Sequence, residues 1–384
     1  MKKILSQNQT ASGVQKANNE QGFTLLELLV SMSIFLIVIS SVYGLLQVSL
    51  IDRNRSSRRT DILKNARAAL HLIGRDTLNA GLGFNKSGAV VPDNFISTKL
   101  GLPTDADTQR DILTGIIGGN NLFINILQPD SNAKTDIIAF AYRDVEFNPP
   151  IDPLTSLPKP GVPGDVISLN NAAAAPSAPA TVRLQTTTGG ATNTRVNDLY
   201  LVESDSSQVL VMATNIPSGA ANIDIAPADP LALNQALNGT GTSVSLLQKC
   251  TATITQNCTS YVASVKRINW ITYKVKSDGT LIRTIYGNNG NSTTQIQEMP
   301  LAYNVQDLQF KYILENGKVT DDPAAGPDNI RGTTDDTPSD FNLVRQIIVT
   351  IKVQAPENDE QTKAPETITL NSTFCTRNLE YDAG

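Results

Sequence analysis

One long apolar segment near the amino terminus limits what the rest of the chain can fold into. No side chain from residue 28 to residue 51 carries a formal charge, and most are apolar. A helix over residues 23–51 rises about 1.5 Å per residue and covers roughly 40 Å, whereas a bilayer hydrocarbon core is about 30 Å thick. The sequence therefore predicts a membrane-spanning helix with the larger part of the chain attached behind it.

The predicted span contains a single charged side chain, Glu27, close to its amino-terminal end. A carboxylate in hydrocarbon is costly enough to need a partner or a functional reason. A cut after Gly22 supplies the partner, because the new α-amino group of Phe23 lies one helical turn from Glu27, or on a neighbouring subunit. The alternative is an ordinary signal anchor with a glutamate near the interface.

The segment around this glutamate resembles the cleavage and methylation motif of type IV pilins and of the pseudopilins of type II secretion. The shared features are Gly22, the aromatic Phe23, residues 24–26 (Thr-Leu-Leu), Glu27 and the apolar run. In that family prepilin peptidase, a membrane-embedded aspartyl protease, cuts after the glycine and methylates the new amino terminus. The resemblance implies that Gly22 is the cleavage site, Phe23 the methylated residue and Glu27 the carboxylate used in methylation and assembly.

Residues 1–22 fit the leader that such a cut removes. They are polar, whereas a secretory signal peptide places its apolar region before the cut and loses it. Positive charge before the span predicts a cytoplasmic leader and an exported head. The resemblance to type IV pilins implies that the membrane is the inner membrane of a bacterium, with the head on the periplasmic side, and that the processed protein enters a pilus filament.

The net charge of −5 argues against a nucleic-acid partner. The densest basic group follows the span directly and consists of Arg53, Arg55, Arg58 and Arg59. We interpret it as a helix segment that faces other subunits or lipid headgroups.

The helix is predicted to continue beyond the membrane and to carry a β-rich head. Ile62, Ala66, Ala69 and Ile73 recur every three or four residues, which is typical of an amphipathic helix, and Gly81 supplies a breaker. Strands are predicted at 136–142, 181–187, 198–203, 208–213, 265–275, 281–286, 305–314, 343–353 and 367–374. One helix followed by antiparallel strands indicates an α+β fold, the lollipop architecture that type IV pilins imply.

The sequence divides into a leader (1–22), a transmembrane half of the helix (23–51), an amphipathic half (52–80) and the head (81–384). Within the head, 148–180 and 217–242 are predicted as insertion loops because they are irregular in composition.

The end of the helix and several strand segments narrow the resemblance to the PilW-like minor pilins. At the helix end the similarity rests on Arg75, Asp76 and the following Ala-Gly pair, although both charges could simply be solvated. In the head it rests on 197–202, 304–310 and 343–345.

The three cysteines fit an oxidising compartment. Cys250 and Cys258 enclose a short polar loop and are candidates for a hairpin disulfide, contributing about 2 to 3 kcal/mol on the chain-entropy estimate. Cys375 is left over, either buried and inert or paired with one of the others.

Catalysis is not expected, because the only histidine, His71, lies on the predicted helix and no nucleotide-binding loop follows a strand. One acidic loop is a candidate calcium site against the alternative of a solvated loop, since oxygen ligands on a turning backbone suit Ca²⁺. Its carboxylates are Asp321, Asp322, Asp328, Asp335, Asp336 and Asp340. No other cofactor is expected.

The resemblance implies a minor pilin that starts pilus assembly as part of a tip complex. Its partners would be prepilin peptidase, other minor pilins, the major pilin and a tip adhesin. The closest alternative is the J-type minor pseudopilin of type II secretion. A membrane-anchored enzyme or adhesin outside any filament would have no use for Gly22 and Glu27 in this register.

Overall fold

The computed structural model describes most of the chain outside the predicted leader and several head loops. The described residues are 22–104, 110–130, 132–147, 152, 154–155, 167–175, 178–186, 194–203, 208–217, 222–227, 229–234, 264–289, 293–333, 335–359 and 362–379. The chain separates into two units, 1–58 and 59–384. The first helix, α1 (Leu25–Asn79), contributes residues to both.

As far as Leu50, the part of α1 within the first unit is mostly apolar and leaves its side chains exposed. Every residue from 22 to 50 is exposed, including large side chains such as Phe35 and Leu45. By length and composition α1 is able to cross a membrane. The predicted long apolar N-terminal helix is therefore confirmed.

The part of α1 within the second unit packs into the head. Its buried residues are Ala66, Ala69, Leu70, Ile73, Gly74, Asp76 and Thr77. The three- and four-residue spacing read from the sequence is thus the spacing of the packed face. The helix ends at Asn79, and Gly81 follows with φ of 80°, a conformation that glycine adopts without strain.

The second unit consists mainly of strands. The first eight are β1 (Ala89–Val91), β2 (Asp111–Leu113), β3 (Ile116–Ile124), β4 (Lys134–Arg143), β5 (Ile167–Ala175), β6 (Ala178–Thr186), β7 (Leu199–Glu203) and β8 (Gln208–Met212). The others are β9 (Asn222–Ile225), β10 (Ser264–Val275), β11 (Leu281–Tyr286), β12 (Ile296–Ala302), β13 (Val305–Leu314), β14 (Val319–Thr320), β15 (Val344–Asn358) and β16 (Pro365–Cys375). A short helix α2 (Phe95–Leu100) follows β1, and a 3-10 helix (Pro338–Leu343) precedes β15.

The strands form two hydrogen-bonded systems. The smaller is a four-stranded antiparallel sheet in the order β14-β13-β15-β16. The larger has twelve strands and is centred on the long strand β10, which pairs antiparallel with β4, β5, β7 and β11. The α+β class, with antiparallel sheets after the helix, is confirmed.

The four-stranded sheet packs on α1. Buried side chains of α1, β13 and β15 belong to one core cluster with others from β4 and β10. Strand β16 lies along the helix: Glu366 at its start pairs with Arg59 at 3.7 Å, and Phe374 near its end lies against Gly74. A second cluster surrounds Trp270 between the larger sheet and α2.

Every predicted strand corresponds to an observed one. The insertion-loop prediction for 148–180 is wrong for residues 167–175 and 178–180, which form β5 and the start of β6. Four consecutive alanines in β5 have little strand preference of their own, so pairing with β6 sets their conformation. Strand β9 likewise lies within the predicted 217–242 loop.

Candidate functional site: two carboxylates on one helix

Glu27 closes a hydrogen-bonded cap at the start of α1. Its Oε2 accepts hydrogen bonds from the backbone N–H and from the Oγ1 hydroxyl of Thr24, both at 3.0 Å. The backbone N–H of Glu27 in turn reaches Oγ1 of Thr24 at 3.3 Å. This reciprocal pair is a capping box, which satisfies backbone donors that the first helical turn leaves without partners.

The predicted cleavage and methylation residues lie directly before this cap. Gly22 and Phe23 precede the helix, and Phe23 is 87% exposed. The peptide bond between them is therefore outside regular structure, and the Glu27 carboxylate is held back toward the preceding turn. The arrangement brings the three predicted residues within one short segment, as their spacing in the sequence requires.

The capping box is a feature that the sequence prediction missed, although Thr-x-x-Glu before an apolar run is its recognisable signature. It gives Glu27 a role inside its own chain. A negative side chain in the first helical turn also interacts favourably with the positive end of the helix dipole. Any second role of Glu27 must therefore be distinguished from this structural one.

Asp76 lies about three helical turns after Ala66, and its environment is buried, whereas that of Glu27 is exposed. Its side chain is fully buried, and it accepts hydrogen bonds from Tyr142 at 3.0 Å and from Tyr273 at 2.6 Å. Nε and Nη2 of Arg283 donate to the same carboxylate at 3.1 and 3.0 Å. The alternative that this helix-end charge is solvated is therefore wrong for Asp76, whereas neighbouring Arg75 remains half exposed.

These contacts tie α1 to three strands of the larger sheet. Tyr142, Tyr273 and Arg283 come from β4, β10 and β11, respectively. Burial, followed by the charge of Asp76, raises the pKa of both tyrosines well above the usual value, so their hydroxyls remain donors. The site is built as a structural anchor, with the charge of Asp76 balanced by Arg283.

The acidic loop between β14 and β15 satisfies much of its own hydrogen-bonding capacity. Lys311 pairs with Asp321, Arg331 with Asp322 and Asp336, and Thr337 with Asp340, while backbone N–H groups and Thr333 donate to Asp328 and Asp335. In the part of the chain that the structure describes, no group of three or more carboxylate, histidine or cysteine side chains could hold a metal ion. Calcium binding by this loop stays a prediction.

The structure tests only the part of the cysteine predictions that concerns Cys375. Cys250 and Cys258 lie outside the described residues, so their disulfide stays a prediction. Cys375 is an exposed free thiol at the end of β16, and the alternative that it is buried is therefore wrong.

Comparison with family models finds the prokaryotic N-terminal methylation motif at residues 17–43. The match includes Gly22, Phe23 and Glu27 but leaves the head uncovered. No curated protein and no solved structure matches the chain. The motif is typical of type IV pilin-like prepilins, and together with the apolar helix it fits membrane anchoring and processing by prepilin peptidase.

Proposed function

We propose that this prepilin-like chain is a minor type IV pilin of the PilW-like group. It is cut after Gly22, methylated on Phe23 and held in the inner membrane with its head in the periplasm. There it helps to start pilus assembly at the filament tip, together with other minor pilins, the major pilin and a tip adhesin. It performs no catalysis of its own.

The observation that supports this proposal most strongly is the combination of the methylation motif with a helical segment, residues 25–50, that buries none of its side chains in its own chain. Residues 22–50 are all exposed, and most of their side chains are apolar. Such a surface needs lipid before assembly and can pack against other helices afterwards. The J-type pseudopilin of type II secretion shares these features, and the neighbouring genes would distinguish the two machines.

Glu27 provides the test, because the capping box and subunit docking make different demands on it. Glu27→Ala removes both the cap and the charge, so we expect its loss from sheared filaments while it still accumulates in the membrane. Glu27→Gln keeps an oxygen that accepts from Thr24 but carries no charge. Thr24→Ala removes the hydroxyl and with it two of the three hydrogen bonds of the cap, and it leaves the carboxylate and its bond from the backbone N–H in place.

If the charge docks against the amino terminus of Phe23 on a neighbouring subunit, Glu27→Gln fails like Glu27→Ala, and Thr24→Ala enters filaments. If Glu27 only caps the helix, Glu27→Gln enters filaments and Thr24→Ala is depleted from them, because most of the cap is lost. Immunoblots of sheared filaments and membranes measure the distribution. Mass spectrometry of the mature amino terminus checks processing, and a start other than N-methylated Phe23 would contradict the proposal.

A further inference from the structure

The second unit contains a cavity of about 480 Å³ that the pilin-like role does not use. It lies between the segment before β1, helix α2, strand β2, the acidic loop and the 3-10 helix. Its lining residues include Lys86, Ile96, Leu102, Arg110, Ile112 and Asp336. The volume is within the range of about 300 to 1,000 Å³ that small-molecule sites usually occupy.

Contacts between distant segments hold the walls of this cavity in place. The carboxylate of Asp111 on β2 accepts a hydrogen bond from the backbone N–H of Ile96 in α2 at 3.2 Å. Asn342 donates to the carbonyl of Lys86 at 2.7 Å, which joins the 3-10 helix to the segment before β1. Gly332 approaches Pro103 so closely that a Cβ there would lie 2.9 Å from the proline Cβ. The cavity is therefore formed before any ligand arrives.

One cation in the lining lacks a partner of its own. Arg110 makes no hydrogen bond or ion pair within the described part of the chain. Arg331, by contrast, is paired with both Asp322 and Asp336. The carboxylate of Asp336 belongs to the wall, because its Oδ2 accepts a hydrogen bond from the Gly332 N–H at 2.7 Å and its Oδ1 has no accessible surface that a ligand could reach. A ligand with a carboxylate is therefore favoured, because it can pair with Arg110.

The remaining lining is mainly apolar, and its charges are mixed. Ile112 and Ile117 line the cavity together with Leu102, Pro103, Pro338 and Phe341. Three cationic and two anionic side chains give the lining a net charge of +1. A multiply charged anion would face Asp336 and Asp111, and a purely apolar molecule would leave Arg110 without a partner.

We propose that this cavity binds an apolar amino acid or the end of an apolar peptide. The carboxylate of the ligand pairs with Arg110, and its side chain packs on Ile112 and Ile117. The guanidinium and a carboxylate match in charge and in fork geometry. This inference does not depend on pilus assembly, because none of these residues belongs to the first unit.

The test is titration calorimetry on the full chain in detergent micelles with three probes: leucine, leucyl-leucine and N-acetyl-leucinamide. Leucine and leucyl-leucine are expected to bind, and the capped probe at least 10-fold more weakly because it lacks the carboxylate. Tighter binding of leucyl-leucine indicates a peptide end as the ligand, and tighter binding of leucine indicates the free amino acid. No heat from either uncapped probe at millimolar concentration would overturn the proposal.

Two substitutions test whether the ligand binds in this cavity. Arg110→Gln is expected to weaken leucyl-leucine at least 10-fold, since one charge-assisted hydrogen bond is lost. Lys311→Gln, which removes an exposed cation outside the cavity, is the control and should bind normally. Unchanged affinity in Arg110→Gln would show that the site lies elsewhere.

Discussion

Glu27 and Asp76 are two carboxylates on the same helix, in regions that differ in almost every respect. Around Glu27 every side chain is exposed, and the carboxylate bonds only to Thr24, three residues away. Around Asp76 the helix is buried, and the carboxylate is surrounded by Tyr142, Tyr273 and Arg283 from three strands. Glu27 is bonded within its own helical turn, whereas Asp76 is bonded across the fold in addition to its neighbour Arg75.

The difference between Glu27 and Asp76 shows that the location of the hydrogen-bond partners indicates the role of a charged residue. Asp76 has all its hydrogen-bonding capacity used within one chain, so its loss should be a loss of stability. Glu27 lies on a helix surface that the chain itself leaves uncovered, so its loss should affect assembly while the head stays folded.

The largest effect is expected for Asp76→Ala, which would leave Arg283 buried without its counter-charge. Removing one partner of a buried ion pair costs about 3 to 5 kcal/mol of unfolding free energy. Denaturant unfolding of the full chain, followed by Trp270 fluorescence, measures this loss. The matched variant Glu27→Ala should leave the same transition unchanged, and equal destabilisation by both variants would contradict the comparison.

A third carboxylate, Asp136, extends the comparison because it is buried without a cation. It accepts backbone hydrogen bonds from Asn121 on β3 at 2.8 Å and from Phe310 on β13 at 2.7 Å, and so links the two sheets. Burial raises the pKa of Asp136 from 3.8 to about 7, and the nearby charges of Asp307 and Asp321 act in the same direction.

Because the folded protein holds this proton more tightly than the unfolded chain does, the contribution of Asp136 to stability is complete below pH 4 and is lost as the pH rises through about 7. The full loss corresponds to about 4 kcal/mol at most. Unfolding free energies at pH 4 and pH 8 measure it. Asp136→Asn should remove this pH dependence, and an unchanged slope in that variant would assign it to other groups.

The smallest effect concerns the two glycines of α1, one in each region. At Gly44 an added Cβ meets nothing within 4 Å, whereas at Gly74 it collides with the ring of Phe374. Gly74→Ala should therefore destabilise the head by about 1 to 3 kcal/mol through overpacking. Gly44→Ala should leave head unfolding unchanged, because it only improves local helix propensity. Thermal unfolding of both variants tests this difference, and equal melting temperatures would contradict the prediction.

The sequence predicted the features that depend on neighbours in the chain. The methylation segment, the apolar helix and the bounds of β11 and β13 all follow from local patterns. The packed face of α1 also follows, and its period continues from Ile73 to Asp76, which was a signal that Asp76 is buried. Its partners could not be predicted, because Tyr142 and Arg283 lie 66 and 207 residues away.

Other elements were missed because pairing overrides local preference. Strand β12 contains Pro300 and two charged or polar residues before it, and it forms against β11 all the same. The cavity was also outside the reach of sequence analysis, since five separated segments build it. The acidic loop, considered only as a ligand set for calcium, forms part of its wall.

The contact between Gly74 and Phe374 has a mechanical consequence. The ring of Phe374 occupies the space beside Gly74 that a side chain would otherwise fill. Half a turn further along the helix, Asp76 forms its ion pair with Arg283. A force along α1 loads both contacts in shear at the same time. The strands can move along this part of the helix only if the Phe374 ring leaves its position and the ion pair breaks. We therefore expect the contact to break in one step rather than gradually.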